Sequence, residues 1–240
     1  MACKVSLQSS LATLIAISVA NSGNGSVQVV GRCIAYVRPA TRIPSTLLHL
    51  VPMPAWEQRK LGEIAEIVGG GTPDTNNSDY WDGDIDWYAP AELGNDIYAE
   101  SSARKITRAG LESCSAKMLP ADKTILFTSR AGIGNTAILR HSACTNQGFQ
   151  SLVINDANVY FVYSMSARIK KWAEEKASGS TFLEISGRQL ADMTVSLPSS
   201  VEQQFIGAFF SRLDDLITLH QRKLELLQDI KKSLLDKMFV

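Results

Sequence analysis

The chain has 240 residues, 45% hydrophobic and 20% charged, the profile of an ordinary soluble globular protein long enough to bury a full core. Its 24 Lys and Arg balance 24 Asp and Glu, which excludes a general basic field and leaves any phosphate contact to a local basic face. No apolar run reaches the roughly 18–20 residues that span a bilayer. Four scattered cysteines (Cys3, Cys33, Cys114, Cys144) form no C-x-x-C pair, which fits free thiols in a reducing cytoplasm.

Residues 1–55 differ from the remainder of the chain. They hold four basic side chains (Lys4, Arg32, Arg38, Arg42) and no acidic ones, and carry prolines at Pro39, Pro44, Pro52 and Pro54. Leu11 to Ala20 is a short apolar stretch behind Lys4, the outline of an export or transit signal. The free-thiol pattern argues against export, so this segment is expected to be a poorly ordered or non-native extension. A small structural arm is the remaining alternative.

Residues 56–199 form the second segment and mix short strand-like runs with turn signals. Leu61 to Val68 is apolar and ends at Gly69-Gly70-Gly71-Thr72-Pro73, a strong breaker. Asp82-Gly83-Asp84 leads into a strand at Ile85-Asp86-Trp87-Tyr88. Thr124 to Thr128 and Ser151 to Ile154 read as buried strands. Tyr160 to Ala177, with Phe161, Ser164, Met165, Ile169 and Trp172 near helical spacing, reads as one helix. Strands and helices do not alternate regularly, so the expected fold class is α+β, a mixed α/β domain and not a doubly wound sheet. Trp81, Trp87 and Tyr88 are expected in the core.

Residues 200–240 are the clearest structural signal. Ser200 is placed to cap a helix with Glu202 and Gln203 in its first turn. Apolar residues then recur at spacings of three, four and seven: Ile206, Phe209, Leu213, Leu216, Ile217, Leu224, Leu227, Ile230 and Leu234. A helix of about 35 residues would run some 50 Å. That exceeds the needs of one small domain, so its stripe is expected to meet another long helix in a coiled coil. His220 and Lys223 interrupt the stripe, either as register-setting polar positions or where the helix turns to a new partner.

Catalytic constellations are missing from the sequence. Gly69-Gly70-Gly71-Thr72 lacks the lysine of a phosphate-binding loop, and Gly132-Ile133-Gly134-Asn135 lacks the third glycine of a dinucleotide site. Glu174-Glu175-Lys176 contains an E-x-K, but on a helix it reads as a solvated face. His49, His141 and His220 are far apart, and no nucleophile–base pair or metal-ligand spacing is visible.

Several stretches taken in order resemble one family. They are Trp56 to Glu63; Gly70-Gly71-Thr72-Pro73 with Tyr80-Trp81 and Ile85-Asp86-Trp87; Ile106-Thr107 with Gly110-Leu111; and Arg130-Ala131-Gly132-Ile133-Gly134. Asn146-Gln147-Gly148-Phe149 comes after these, then Gly179-Ser180-Thr181 with Ile185 and Leu190, and Leu197-Pro198 with Glu202-Gln203 and Ile206. Together, over about three quarters of the chain, they are similar to the specificity subunits of type I restriction-modification systems, in a half-size form with one target-recognition domain. The resemblance implies a non-catalytic cytoplasmic reader of double-stranded DNA that assembles with methyltransferase and restriction subunits. It implies no cofactor or metal on this chain, with AdoMet, ATP and Mg on the partner subunits. Residues 200–240 would pair in an antiparallel coiled coil and serve dimerisation and methyltransferase docking. Family members pair two recognition domains, so a homodimer reading a bipartite palindromic site is expected. The alternatives are an inactive half of a disrupted subunit, or a standalone DNA-binding or coiled-coil module.

Base readout needs Arg for guanine, Asn or Gln for adenine, and hydroxyls for either. The candidates are Thr72, Asn76, Asn77, Arg130, Asn146, Gln147, Ser180 and Thr181. Asn146 and Gln147 can equally hold the backbone of a turn, and Arg130 can equally form a structural ion pair. Phosphate candidates are Arg104, Lys105, Arg108, Lys123, Arg168, Lys170, Lys171 and Arg188.

Overall fold

A computed structural model describes residues 55–94, 96–130, 132–179 and 183–239, together with two strands, β1 (Gln28–Val30) and β2 (Cys33–Ala35). These two strands pair antiparallel in a unit that ends at Trp56. The rest of the amino-terminal extension lies outside the described residues. A second unit begins at Glu57.

The centre of this second unit is a five-stranded sheet in the order β4 (Ala65–Gly69), β11 (Gln150–Ile154), β8 (Thr124–Phe127), β9 (Thr136–Leu139), β6 (Tyr98–Ala99). Residues Thr124 to Phe127 are all buried, as befits a middle strand covered on both faces, and this explains the unbroken apolar run in the sequence. Leu126, Phe149, Leu139 and Leu119 pack around it. A second sheet has the order β10 (Cys144–Thr145), β5 (Trp81–Tyr88), β7 (Arg104–Ile106). Trp81 and Trp87 meet edge to face there, with ring centroids 5.2 Å apart, beside fully buried Ile106. A third sheet pairs β3 (Glu57–Lys60) with β12 (Thr194–Leu197), closing the start of the domain onto its end.

The structure corrects several local readings. Asp82-Gly83 lies inside strand β5, as a bulge: Ile106 faces both Trp81 and Ile85, and Asp82 has φ 57°. A Cβ on Gly83 would lie 2.4 Å from the Ile106 carbonyl oxygen, so this crossing requires glycine. The helix expected over 160–177 is two helices, α3 (Val159–Ser164) and α4 (Ser166–Lys176), broken at Met165 with φ −89° and ψ 2°. Ser164 donates its hydroxyl to the Phe161 carbonyl at 2.6 Å, competing with the backbone ladder at the break. The shorter helices α1 (Leu61–Ile64), α2 (Arg108–Glu112) and α5 (Gly187–Ala191) link strands.

The long helix α6 runs from Ser200 to Met238, 39 residues, about 58 Å at the α-helical rise. Its cap is Ser199 and not Ser200: the Ser199 hydroxyl accepts from the Glu202 N–H while Ser200 is already helical. Only its first turns are buried, at Gln203, Ile206 and Gly207. Gln203 accepts from the Asn158 N–H at 3.0 Å and donates to the Pro198 carbonyl at 3.0 Å. Gly207 admits α3, since a Cβ there would meet Asn158 Oδ1 at 2.4 Å. Ile206 is therefore a core residue of its own domain and is not available to another helix. Phe209 is half-buried, and the apolar residues from Leu213 onward face solvent.

Candidate nucleic-acid interface

Four loops meet at one end of the central sheet. The first leaves β4 at Gly69. The Gly71 N–H donates to the Thr145 carbonyl at 2.8 Å, and a Cβ on Gly70 would lie 2.0 Å from the Asn146 carbonyl oxygen, so only glycine allows this approach. The loop is also pinned from below. The Trp87 indole donates to the Gly71 carbonyl at 2.9 Å and the Trp81 indole to the Asp74 carbonyl at 3.1 Å. Buried tryptophans thus set the loop's height over the second sheet.

The second loop, Thr145 to Phe149, is a tight turn. Asn146 receives the Gly148 N–H on its side-chain oxygen at 2.7 Å, and its own N–H donates to the Tyr88 carbonyl at 3.0 Å. Asn146 thus holds the turn, the structural role its sequence position also allowed. Gln147 is exposed, and Thr72 donates its hydroxyl to the Gln147 side-chain carbonyl, which ties the first loop to the second. That leaves the Gln147 amide group to donate elsewhere.

The third loop comes after β8. The Ser129 N–H donates to the Gly148 carbonyl at 2.8 Å, joining this loop to the turn. Gly134 and Gly132 have φ of 84° and 104°, and Thr128 bonds the Gly132 carbonyl and the Asn135 N–H through its hydroxyl. Arg130 is half-buried beside Gly148 and, among the described residues, makes no ion pair. The fourth loop is gathered by Ser178 and Glu184, which pair with each other next to Ser129; Ile185 donates to the Ser129 carbonyl at 3.1 Å. Ser180 and Thr181, the candidates on this loop, lie outside the described residues.

The structure therefore brings Thr72, Arg130, Asn146 and Gln147 together. Asn76 and Asn77 are instead spent on their own turn: the Asn76 N–H bonds the Asp74 carboxylate at 2.9 Å, and Asn77 caps the short helix beginning at Ser78. Three polar residues at the same end were not among the candidates. Ser115 bonds the Gly70 carbonyl at 3.3 Å, Gln150 pairs with Gly69 across strands, and Gln189 bonds the Lys176 carbonyl at 3.1 Å. Their residue types alone could have flagged them, and those types fill ordinary surfaces too.

The basic candidates separate into groups. Lys170 reaches Asn135 at 3.4 Å and its stem packs on Gly134, so α4 supports the third loop; Arg168 and Lys171 are exposed on the same helix. Arg188 is exposed on α5, whose Gly187 packs against Gln150. Arg104 stacks over Trp81 with its guanidinium carbon 3.6 Å from the ring centroid. Lys105 lies 3.5 Å from Asp86, and Arg108 is 2.7 Å from Glu112 in an exposed pair one helical turn apart. Lys123 precedes β8, at the opposite end of that strand from Arg130, and the structure does not bring it to the cluster.

Burial, then neighbouring Cys114 and Asp86, pushes the buried Cys144 thiol up to about 12. Cys114 and Cys144 are free thiols. Among the described residues no three His, Cys, Asp or Glu side chains could hold a metal, and no helix is long and apolar enough to cross a membrane. What the four loops offer is an amide, a guanidinium and hydroxyls on a rigid base, with cations on the bordering helices. Such groups read hydrogen-bond patterns and hold anions.

Known proteins resemble this chain over most of its length. The type I restriction enzyme MjaIX specificity subunit of Methanocaldococcus jannaschii is 36% identical over 190 residues, covering 77% of this chain and 44% of that one. The EcoR124I/EcoR124II specificity subunit of Escherichia coli is 27% identical over 193 residues, covering 72% and 47%. The chain thus spans under half the length of these curated relatives. The HsdS subunit of Thermoanaerobacter tengcongensis shares the fold with a TM-score of 0.54 at 18% identity, over 89% of this chain and 45% of that one. With residues 53–229 matching it, the chain belongs to the family described as the type I restriction modification DNA specificity domain.

Proposed function

We propose that this chain chooses the DNA sequence for a type I restriction-modification complex, reading one half of a bipartite site in double-stranded DNA and doing no bond chemistry itself. The observation that carries the reading is the meeting of Thr72, Arg130 and Gln147 from three loops, in a chain of this family. In this reading Arg130 and the Gln147 amide reach base edges. Lys170, Lys171, Arg168 and Arg188 hold phosphates along the flanks.

The chain spans under half the length of these curated relatives and, among the described residues, carries one long helix whose apolar stripe is unpaired. Two chains joined through that helix would supply the missing length, and a two-fold pair requires a site with palindromic halves. Methyl transfer from AdoMet and ATP-driven cleavage with Mg would belong to methyltransferase and restriction subunits in the cytoplasm. The same shortness favours a second reading, in which the chain is one half of a longer, divided subunit.

Adenine methylation mapped across the host genome by long-read sequencing, with and without this gene, tests the proposal. Loss of one bipartite motif with palindromic halves is the expected result. Loss of a motif with unlike halves supports the divided subunit, and no loss of any motif overturns both readings.

A further inference from the structure

Eight positions of α6 recur at alternating steps of four and three residues: Leu213, Ile217, His220, Leu224, Leu227, Lys231, Leu234 and Met238. This is the seam spacing of a coiled coil, and every one of these residues is exposed in the single chain, the apolar ones by 37 to 72%. The steps read the same in both directions about a midpoint between Glu225 and Leu226. The seam's two polar residues, His220 and Lys231, stand at equal distances on either side of that midpoint.

We propose that the covering partner is a second copy of this chain, packed antiparallel in the one register whose two-fold axis passes between Glu225 and Leu226. The inference rests on the two-chain reading above and specifies its geometry. In this register Leu213 meets the second copy's Met238, Ile217 meets its Leu234, and Leu224 meets its Leu227. His220 meets its Lys231. Every apolar position faces an apolar one, and the only two polar positions face each other at the same level.

Other arrangements do worse on the same residues. Sliding one helix by a heptad places Lys231 against Leu213 or Leu227 and His220 against Leu224 or Met238, twice each by symmetry. Each such layer strands a polar group on an apolar wall. Parallel pairing in register sets Lys231 against Lys231, a like-charge layer inside the seam. The seam is bounded at its start, because Ile206 and Gln203 turn into their own domain. The second copy's Met238 therefore lies beside Leu213, at the edge of the recognition domain. Leu216 and Ile230 border the seam and widen its apolar face.

The test mixes full-length His220→Cys chains with full-length Lys231→Cys chains under mild oxidation, with the unsubstituted chain as the blank for its native cysteines. A disulfide-linked dimer is expected in the mixture and in neither variant alone. Like positions in this register sit about 16 Å apart along the axis, well beyond disulfide reach of roughly 7 Å. Cross-linking of either variant to itself overturns the register, as does a mixture that sediments as dimers but does not cross-link. A chain that sediments only as monomer would instead sink the two-chain reading. A second pair of variants reads the same layer without cross-linking. His220→Glu is expected to tighten the dimer several-fold by opposing Lys231, and adding Lys231→Glu is expected to reverse this. Equal behaviour of the single and double variants would overturn the pairing.

Discussion

Tyr160 donates its hydroxyl to the Asp214 carboxylate at 2.6 Å, and this bond fastens the long helix to the domain just where the helix leaves it. Upstream, α6 is held by Gln203, Ile206 and Gly207 against α3. Downstream, among the described residues, no side-chain hydrogen bond or ion pair ties it to the domain. Burial, with Asp214 beside it, pushes the Tyr160 phenol well above its ordinary value, so it stays a donor throughout the neutral range.

Tyr160→Phe removes this bond and leaves the ring in place. The change is expected to destabilise the domain by about 1 kcal/mol, a fall of about 2–4 °C in Tm for a chain of this size. Thermal unfolding followed by circular dichroism measures it, and an unchanged Tm would show that the three upstream contacts suffice.

The glycine approach between the first two loops makes a sharper contrast. At Gly70 a methyl group would collide with two backbone carbonyls, those of Asn146 at 2.0 Å and Thr145 at 2.3 Å, neither of which can swing away. Gly70→Ala is expected to cost about 1–3 kcal/mol through overpacking. Gly94→Ala, where nothing lies within 4 Å, should be close to neutral. Urea midpoints of the two variants side by side check this, and equal midpoints would rule out the close approach.

How much of this was legible in the sequence depends on the range of each interaction. Helix α6 was plain because its period repeats over many residues without help from the rest of the chain. Thr124 to Phe127 was plain because a strand buried on both faces needs no alternation. The bulge at Asp82-Gly83 was not, since its cause is the Ile106 carbonyl on another strand. The break at Met165 has no glycine or proline to announce it. Ile206 belongs to the same periodic stripe as Leu213, yet only the position of α3 decides which faces a core and which faces solvent. The interface shows the same limit. Residue type picked out Thr72 and Gln147 separately, but their bond spans 75 residues of chain and no local pattern encodes it.

Asp86 gives the fold a pH-dependent element. Burial alone would raise its carboxyl, but the Ser102 N–H and hydroxyl, each at 2.9 Å, and Lys105 hold it below its ordinary value. A carboxyl depressed in the folded state favours folding above its unfolded value of 3.8, and that contribution fades as pH falls through the lower folded value. Asp86→Asn is therefore expected to unfold at lower urea than the parent near pH 6, with the gap closing at about pH 3 and below. A gap of constant size across that range would mean the carboxylate's charge contributes nothing. The β5–β7 pairing beside it, and with it the placement of Arg104 and Lys105, should loosen together with the bond.

Readers of sequence and holders of phosphate can be told apart by how their loss depends on salt and on DNA sequence. Arg130 stands half-buried beside the Gly148 turn, with no ion pair among the described residues, and Gln147 is fixed through Thr72. If they touch base edges, Arg130→Ala and Gln147→Ala should each cost about 1–3 kcal/mol on the cognate half-site and little on unrelated DNA. Lys170→Ala and Lys171→Ala should weaken binding to every sequence alike and lower the slope of log K against log salt by about one each. Lys123→Ala, at the far end of β8, should change neither, and is the internal control. Fluorescence anisotropy with cognate and scrambled duplexes at several salt concentrations separates these outcomes. Sequence-independent losses at Arg130 and Gln147 would move base readout to the loop that carries Ser180 and Thr181. A salt slope unmoved by Lys170 and Lys171 would take α4 off the DNA altogether.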